Sequence, residues 1–143
     1  MTRRILVVAN ETAPSDTLRS LLVSQARDDD LEVLVVAPAL VGRLDYWATD
    51  DRSARAAAAG RIDHCLDTLR HCGVEATGQI GDARPLLAID DALVLFPADE
   101  IVISTHPEGR SHWLARKVVE RARLRYDMPV RHVAGVAERA AAA

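Results

Sequence analysis

Aromatic side chains are scarce in this chain of 143 residues: two Trp, two Tyr and one Phe make up 3% of it. Aliphatic residues must therefore fill the core. No aromatics are interleaved with basic residues in the way a nucleic-acid surface needs. Lysine is rarer still, with Lys117 alone. The formal net charge of -3 gives no global electrostatic footprint for nucleic acid. No apolar run approaches the roughly 20 residues of a membrane span. Ile5–Ala9, after Met1-Thr-Arg-Arg4, runs to only five residues and is followed by Asn10-Glu11 without a small-residue cleavage pattern. It reads as a first strand, and the chain is expected in the cytoplasm. The two cysteines, Cys65 and Cys72, stand seven apart in a helical pattern. That is about two turns, roughly 10 Å, too far for a disulfide. With Ile62, Leu66 and Leu69 they read as small core residues.

Glycine is missing where a dinucleotide site would need it. The loop Ala9-Asn-Glu-Thr-Ala-Pro14 has none, which removes the Gly-x-Gly-x-x-Gly fingerprint and its close backbone approach to pyrophosphate. The chain also lacks a P-loop, Cys-x-x-Cys, His-Glu-x-x-His and Gly-x-Ser-x-Gly. The five histidines form no recognised ligand spacing; His64 and His71 are two turns apart, and His106 and His112 flank a loop. Asp90-Asp91 is a poor carboxylate pair, because adjacent helix residues point apart. No nucleophile, base and orienting group can be assembled, so the reading is non-catalytic.

What is present is an alternation of two periods. Arg4–Ala9 and Glu32–Ala37 are continuous apolar runs, as buried parallel strands are. Ser15 is placed to cap a helix carrying Leu18, Leu21, Leu22, Gln25 and Ala26, and Asp28-Asp-Asp30 turns. Pro38–Asp50 has neither period and is long for a strand–helix connection. It predicts a lid over Gly42–Trp47, with Tyr46 or Trp47 available for stacking. Asp51–Cys72 is helical, with Ile62, Cys65, Leu66, Leu69 and Cys72 on one stripe, and Gly73 stops it. Val74–Ile80 is a more polar strand, fit for a sheet edge, and Gly81-Asp82 turns. Pro85 opens a helix with a stripe of Leu86, Ile89, Ala92, Leu93 and Phe96. Ile101–Ile103 centres a fourth strand. Leu114, Val118, Ala122 and Tyr126 line the next helix, and Val130–Val133 is a fifth strand. The pattern predicts one doubly wound α/β domain over residues 1–135, its parallel sheet covered by helices on both faces, with an Ala-rich tail at 136–143.

Ligands on such sheets bind beyond the carboxyl ends of the strands, where strand order reverses. The loop Ser104–Ser111 (STHPEGRS) carries two hydroxyls, a glycine, an arginine and a serine placed to cap the next helix. A helix N-terminus presents unpaired N–H groups and a positive dipole end to an anion. The candidate ligand-binding residues are Asn10, Glu11 and Thr12 on one wall. Ser104, Thr105, His106, Gly109, Arg110 and Ser111 form the anion pocket. On the following helix Lys117, Arg121 and Arg125 share a basic face, read as solvated. A phosphorelay receiver shares the architecture and matches at Thr105. It would need an acidic pair, an Asp and a Lys where this chain has Asn10-Glu11, Asp82 and Arg131-His132.

From Arg4 to Val133 the chain resembles the universal stress protein family. The likeness lies in the order and spacing of Ile5-Leu-Val-Val8, the long connection after strand two, Val74-Glu-Ala with Gly81-Asp82, Asp99-Glu-Ile-Val-Ile-Ser104, Val118-Val-Glu-Arg121 and Met128-Pro-Val130. The resemblance implies a five-stranded parallel sheet in the order 3-2-1-4-5 and a homodimer joined along Val130–Val133. For one subgroup it implies adenine nucleotide binding between strands one and four, through an Asp after strand one and a Gly-x-x-Gly-(nine residues)-Gly-Ser/Thr loop. Here Asn10 takes the Asp position. Counted back from Met128-Pro-Val130, the glycines fall on Ile103, His106 and Arg116, and the Ser/Thr on Lys117. The chain is thus placed in a branch without the glycine-rich signature, whose crevice takes a small anionic ligand such as an adenine nucleotide. The alternatives are an interaction module with an empty crevice and a nucleotide hydrolase using His106 or Glu11. No membrane partner is expected.

Overall fold

A computed structural model describes residues 2–9, 16–28, 30–38, 51–82, 84–105 and 111–134. Five strands, β1 (Thr2–Ala9), β2 (Asp30–Pro38), β3 (Glu75–Gly81), β4 (Glu100–Thr105) and β5 (Val130–Ala134), alternate with four helices among the described residues. These are α1 (Asp16–Asp28), α2 (Asp51–His71), α3 (Pro85–Leu95) and α4 (Ser111–Arg125). The sheet is parallel with strand order β3-β2-β1-β4-β5, as the resemblance implied.

Side chains alternate across the sheet, and the buried ones divide accordingly. Ile5, Val7, Val33, Val35 and Val102 pack with Leu18 and Leu22 of α1 and with Ile62, Cys65 and Leu69 of α2. Leu6, Val8, Val36, Ile101 and Ile103 pack with Ile89, Ala92 and Phe96 of α3 and with Val119 and Ala122 of α4. One helix pair thus covers each face. β1 and β2 are buried on both sides, which explains their unbroken apolar runs.

The strands outrun those runs. β1 starts at Thr2 and β2 at Asp30, because Thr2↔Asp30 and Arg3↔Leu31 continue the backbone ladder beyond the buried residues. Of the turn expected at Asp28–Asp30, Asp28 ends α1, Asp30 opens β2 and Asp29 lies outside the described residues. Gly81, expected in a turn, closes β3 opposite Pro38. β3 lies at the edge, as its polarity predicted. Two glycines meet particular demands, one of backbone conformation and one of close packing. Gly73, at φ 80, ends α2. There Val74 N–H donates to Leu69 O at 3.0 Å and Gly73 N–H to Arg70 O at 3.0 Å, the paired bonds of a Schellman cap. At Gly81 a Cβ would come within 2.7 Å of Ala88 Cβ, so α3 sits directly on the sheet there.

Cys65 is buried and Cys72 half-buried. Burial pushes the Cys65 thiol up to about 12, which makes it a core residue with negligible thiolate. Among the described side chains of α4, Val119 and Ala122 are buried and Val118 is partly covered, as is Tyr126 just after it; that of Leu114 lies outside them. Ser15, the lid at Gly42–Trp47 and the tail at 136–143 lie outside the described residues.

Candidate functional site

Strand order reverses between β1 and β4. From β1 the chain passes through α1 on one face to β2, and from β4 through α4 on the opposite face to β5. Doubly wound sheets hold ligands beyond the carboxyl ends of the strands at such a reversal. Ala9 and Ser104 stand side by side in the ladder at the carboxyl ends of β1 and β4.

Ser104 is 1% exposed, and its Oγ has no hydrogen-bond partner among the described residues. A buried hydroxyl without a partner costs about 1–3 kcal/mol, so this one calls for an explanation. Thr105 closes β4 and Ser111 opens α4, so the helix N-terminus begins at the carboxyl end of the sheet. Asn10, Glu11, Thr12, His106, Gly109 and Arg110 lie outside the described residues. Of the candidate residues, the structure describes Ser104 and Thr105 at the end of β4 and Ser111 at the start of α4.

Two features at this end were missed in the sequence. Arg61 of α2 donates from Nη2 to Pro38 O at 2.7 Å, setting a guanidinium on the last carbonyl of β2. Its only signal was its place beside the inward-facing Ile62. Asp82 accepts from Arg84 at both the backbone N (2.8 Å) and Nε (3.1 Å) before α3. The Arg84 hydrogen bonds hold the Asp82 carboxyl below its usual range.

The basic face expected on α4 is not all solvated. Arg125 makes a two-pronged ion pair with Asp90 of α3, with Nε donating to Oδ1 at 3.1 Å and Nη2 to Oδ2. Tyr126 Oη lies 2.6 Å from Asp90 Oδ1 and 3.1 Å from Leu86 O. Arg123 Nε donates to Val130 O at 3.2 Å. This is a structural brace between helices. Arg125 holds the Asp90 carboxyl below its ordinary 3.8, and burial with the Asp90 contact pushes the Tyr126 phenol up. A depressed carboxyl contributes stability above its unfolded pKa that is lost as pH falls through the lower folded value. Asp90→Asn is therefore expected to lower the melting temperature at neutral pH. The gap to wild type should close in strong acid; a gap independent of pH in thermal melts would exclude the ion pair as its source.

Among the described residues no group of three His, Cys, Asp or Glu could hold a metal. His71 is engaged, its Nδ1 lying 2.7 Å from Asp67 O. A cavity of about 370 Å³ lies at the opposite, amino end of β1, β2 and β3. Asp30, Glu32 and Glu75 line it, so it repels anions. No helix among the described residues is long and apolar enough to cross a membrane.

The fold is that of a doubly wound α/β protein whose strand order reverses between β1 and β4. No protein-family model and no curated protein matches the chain. Solved structures do. A universal stress protein from Archaeoglobus fulgidus is similar at TM-score 0.61 and 21% identity, covering 90% of this chain and 98% of that one. A universal stress protein family protein from Arabidopsis thaliana, with AMP bound, gives TM-score 0.65 at 12% identity, over 96% of this chain and 94% of the other. A universal stress protein family protein from Burkholderia pseudomallei gives 0.55 at 17%, over 90% and 94%. The chain has the universal stress protein fold.

Proposed function

We propose that this chain is a non-catalytic, universal-stress-protein-like protein that acts in a stress response in the cytoplasm. It binds a small anionic ligand in the β1/β4 crevice, and an adenine nucleotide is the first to test. The observation that carries this reading is Ser104: a buried hydroxyl without a partner among the described residues, at the β1/β4 switch point. The AMP in the Arabidopsis neighbour supports the choice of nucleotide.

Asn10, Glu11 and Thr12 would form one wall. Thr105, His106, Gly109, Arg110 and Ser111 would join Ser104 around the anion, with α4 N–H groups directed at it. Arg110 would supply the charge-assisted, forked contact that phosphate favours. The substitutions Asn10, Ile103, His106, Arg116 and Lys117 at the signature positions make the expected mode different from that of the glycine-rich subgroup. The chain would pair with a second copy along Val130–Val133, since among the described residues β5 has β4 as its one neighbour in the sheet.

The test is a thermal-shift series with ATP, ADP, AMP, cyclic nucleotides and phosphate, with and without Mg²⁺. A ligand that binds only the folded state adds about 2.7 kcal/mol at a hundredfold excess over Kd. A shift with adenine nucleotides, reduced by Arg110→Ala, is the expected outcome. No shift with any of them, in protein shown to be folded, would replace this reading with the interaction module. Phosphate release above background would favour the hydrolase.

A further inference from the structure

Glu100 is a carboxylate where the apolar pattern of β4 calls for none. It opens the strand, is 2% exposed, and lies between two arginines. Arg3 of β1 donates from Nη2 to Oε1 at 2.7 Å, and its Nε donates to Gln25 Oε1 of α1 at 3.3 Å. Arg131 of β5, 52% exposed, brings Nε to 3.4 Å from Oε2, an atom with no closer partner among the described residues. One buried charge thus joins a central strand to the edge strand.

The two contacts are unequal. The Arg3 bond is short and ties strands deep in the sheet. The Arg131 contact is longer and belongs to a strand of five residues. Desolvating a carboxylate is costly, and removing one partner leaves that cost uncompensated. Each oxygen of Glu100 faces an arginine: Oε1 accepts from Arg3, and Oε2 lies at ion-pair distance from Arg131 without a hydrogen bond. A glutamine can offer an oxygen to only one of them and must turn its NH₂, a donor, toward the other.

We propose that Glu100 is a latch on the edge strand. Through Arg131 its buried carboxylate holds β5 against β4, and so governs how that edge is presented to a second copy of this chain. The part concerning the second copy rests on the pairing proposed above; the latch does not.

Amide hydrogen exchange on the full chain tests the latch, and sedimentation tests the pairing. In Glu100→Gln the amide oxygen should stay with Arg3 and release Arg131. Exchange at Val130–Ala134 is then expected to accelerate about tenfold, with Ile5–Val8 and Val33–Val36 unchanged. Arg131→Gln, at a half-exposed position, should do the same and carries the test if Glu100→Gln does not fold. The double variant should exchange no faster than either single one. Arg4→Gln removes an exposed pair with Glu32 (3.5 Å) at the same end of the sheet and should leave β5 unaffected. Unchanged β5 exchange in Arg131→Gln, additive effects, or acceleration of all strands together would overturn the latch. A dimer that weakens in step with β5 exchange supports the coupling. A monomeric wild type with faster β5 exchange in the variants would remove the pairing and keep the latch.

Discussion

Ile103→Ala should lower stability by about 2–5 kcal/mol, the range for truncating a large buried aliphatic residue. Ile103 is fully buried in the cluster that includes Val8, Ile89, Phe96 and Val119. It stands in the middle of the ladder, beside Val8 on β1 and His132 on β5. Alanine leaves a cavity that three neighbouring elements cannot collapse into without moving the sheet. The position has a second interest, because the resemblance to the nucleotide-binding subgroup sets its first glycine here. In this chain the residue secures β4 to the α3/α4 layer. Ile103→Gly should therefore yield a weaker protein, by about a further 0.5–1 kcal/mol of backbone entropy, and no nucleotide site of the glycine-rich kind. Denaturant midpoints and the same thermal-shift series check both statements. A loss below about 1 kcal/mol, or a nucleotide shift that appears only in the glycine variant, would show that the side chain serves the core less than its burial indicates.

Gly78→Ala should cost about 1–3 kcal/mol by overpacking. A Cβ there would lie 2.2 Å from Ile62 Cγ2 and 3.3 Å from Leu66 Cδ1. The first of these is a branch methyl on a side chain whose χ1 is nearly fixed in a helix, so it cannot swing away. Relief requires α2 to lift from β3, and Ile62, Cys65 and Leu69 would lift with it. Combining Gly78→Ala with Ile62→Ala should cost less than the sum of the single changes, because the truncation removes the clashing methyl. Additive costs in urea melts, or a neutral Gly78→Ala, would mean the helix accommodates the methyl at no expense.

Much of the fold was legible in one dimension. Arg4–Ala9 and Glu32–Ala37 showed that two strands are covered on both faces, and the polar Val74–Ile80 marked an edge. Pro85 and Gly73 set the start of α3 and the end of α2. The candidate site was legible as a loop chemistry at Ser104–Ser111, and as an expectation about where a doubly wound sheet holds ligands. Strand limits were less so. Thr2, Arg3 and Asp30 are polar, and only their ladder partners on the neighbouring strand make them part of it.

The sequence by itself determined the α/β alternation, the aliphatic core that the shortage of aromatics demands, and the absence of the glycines that let a backbone approach pyrophosphate. These are local properties, carried by the period of apolar residues and by single backbone requirements. Tertiary structure alone decided which charges meet. Arg3 reaches Glu100 across 97 positions and Arg125 reaches Asp90 across 35. Only strand order and helix packing bring them together, and no periodic signal encodes such pairs. The same holds for Ser104, whose hydroxyl looks ordinary in a polar loop. Only the neighbours on both sides of β4 bury it and leave it without a partner among the described residues.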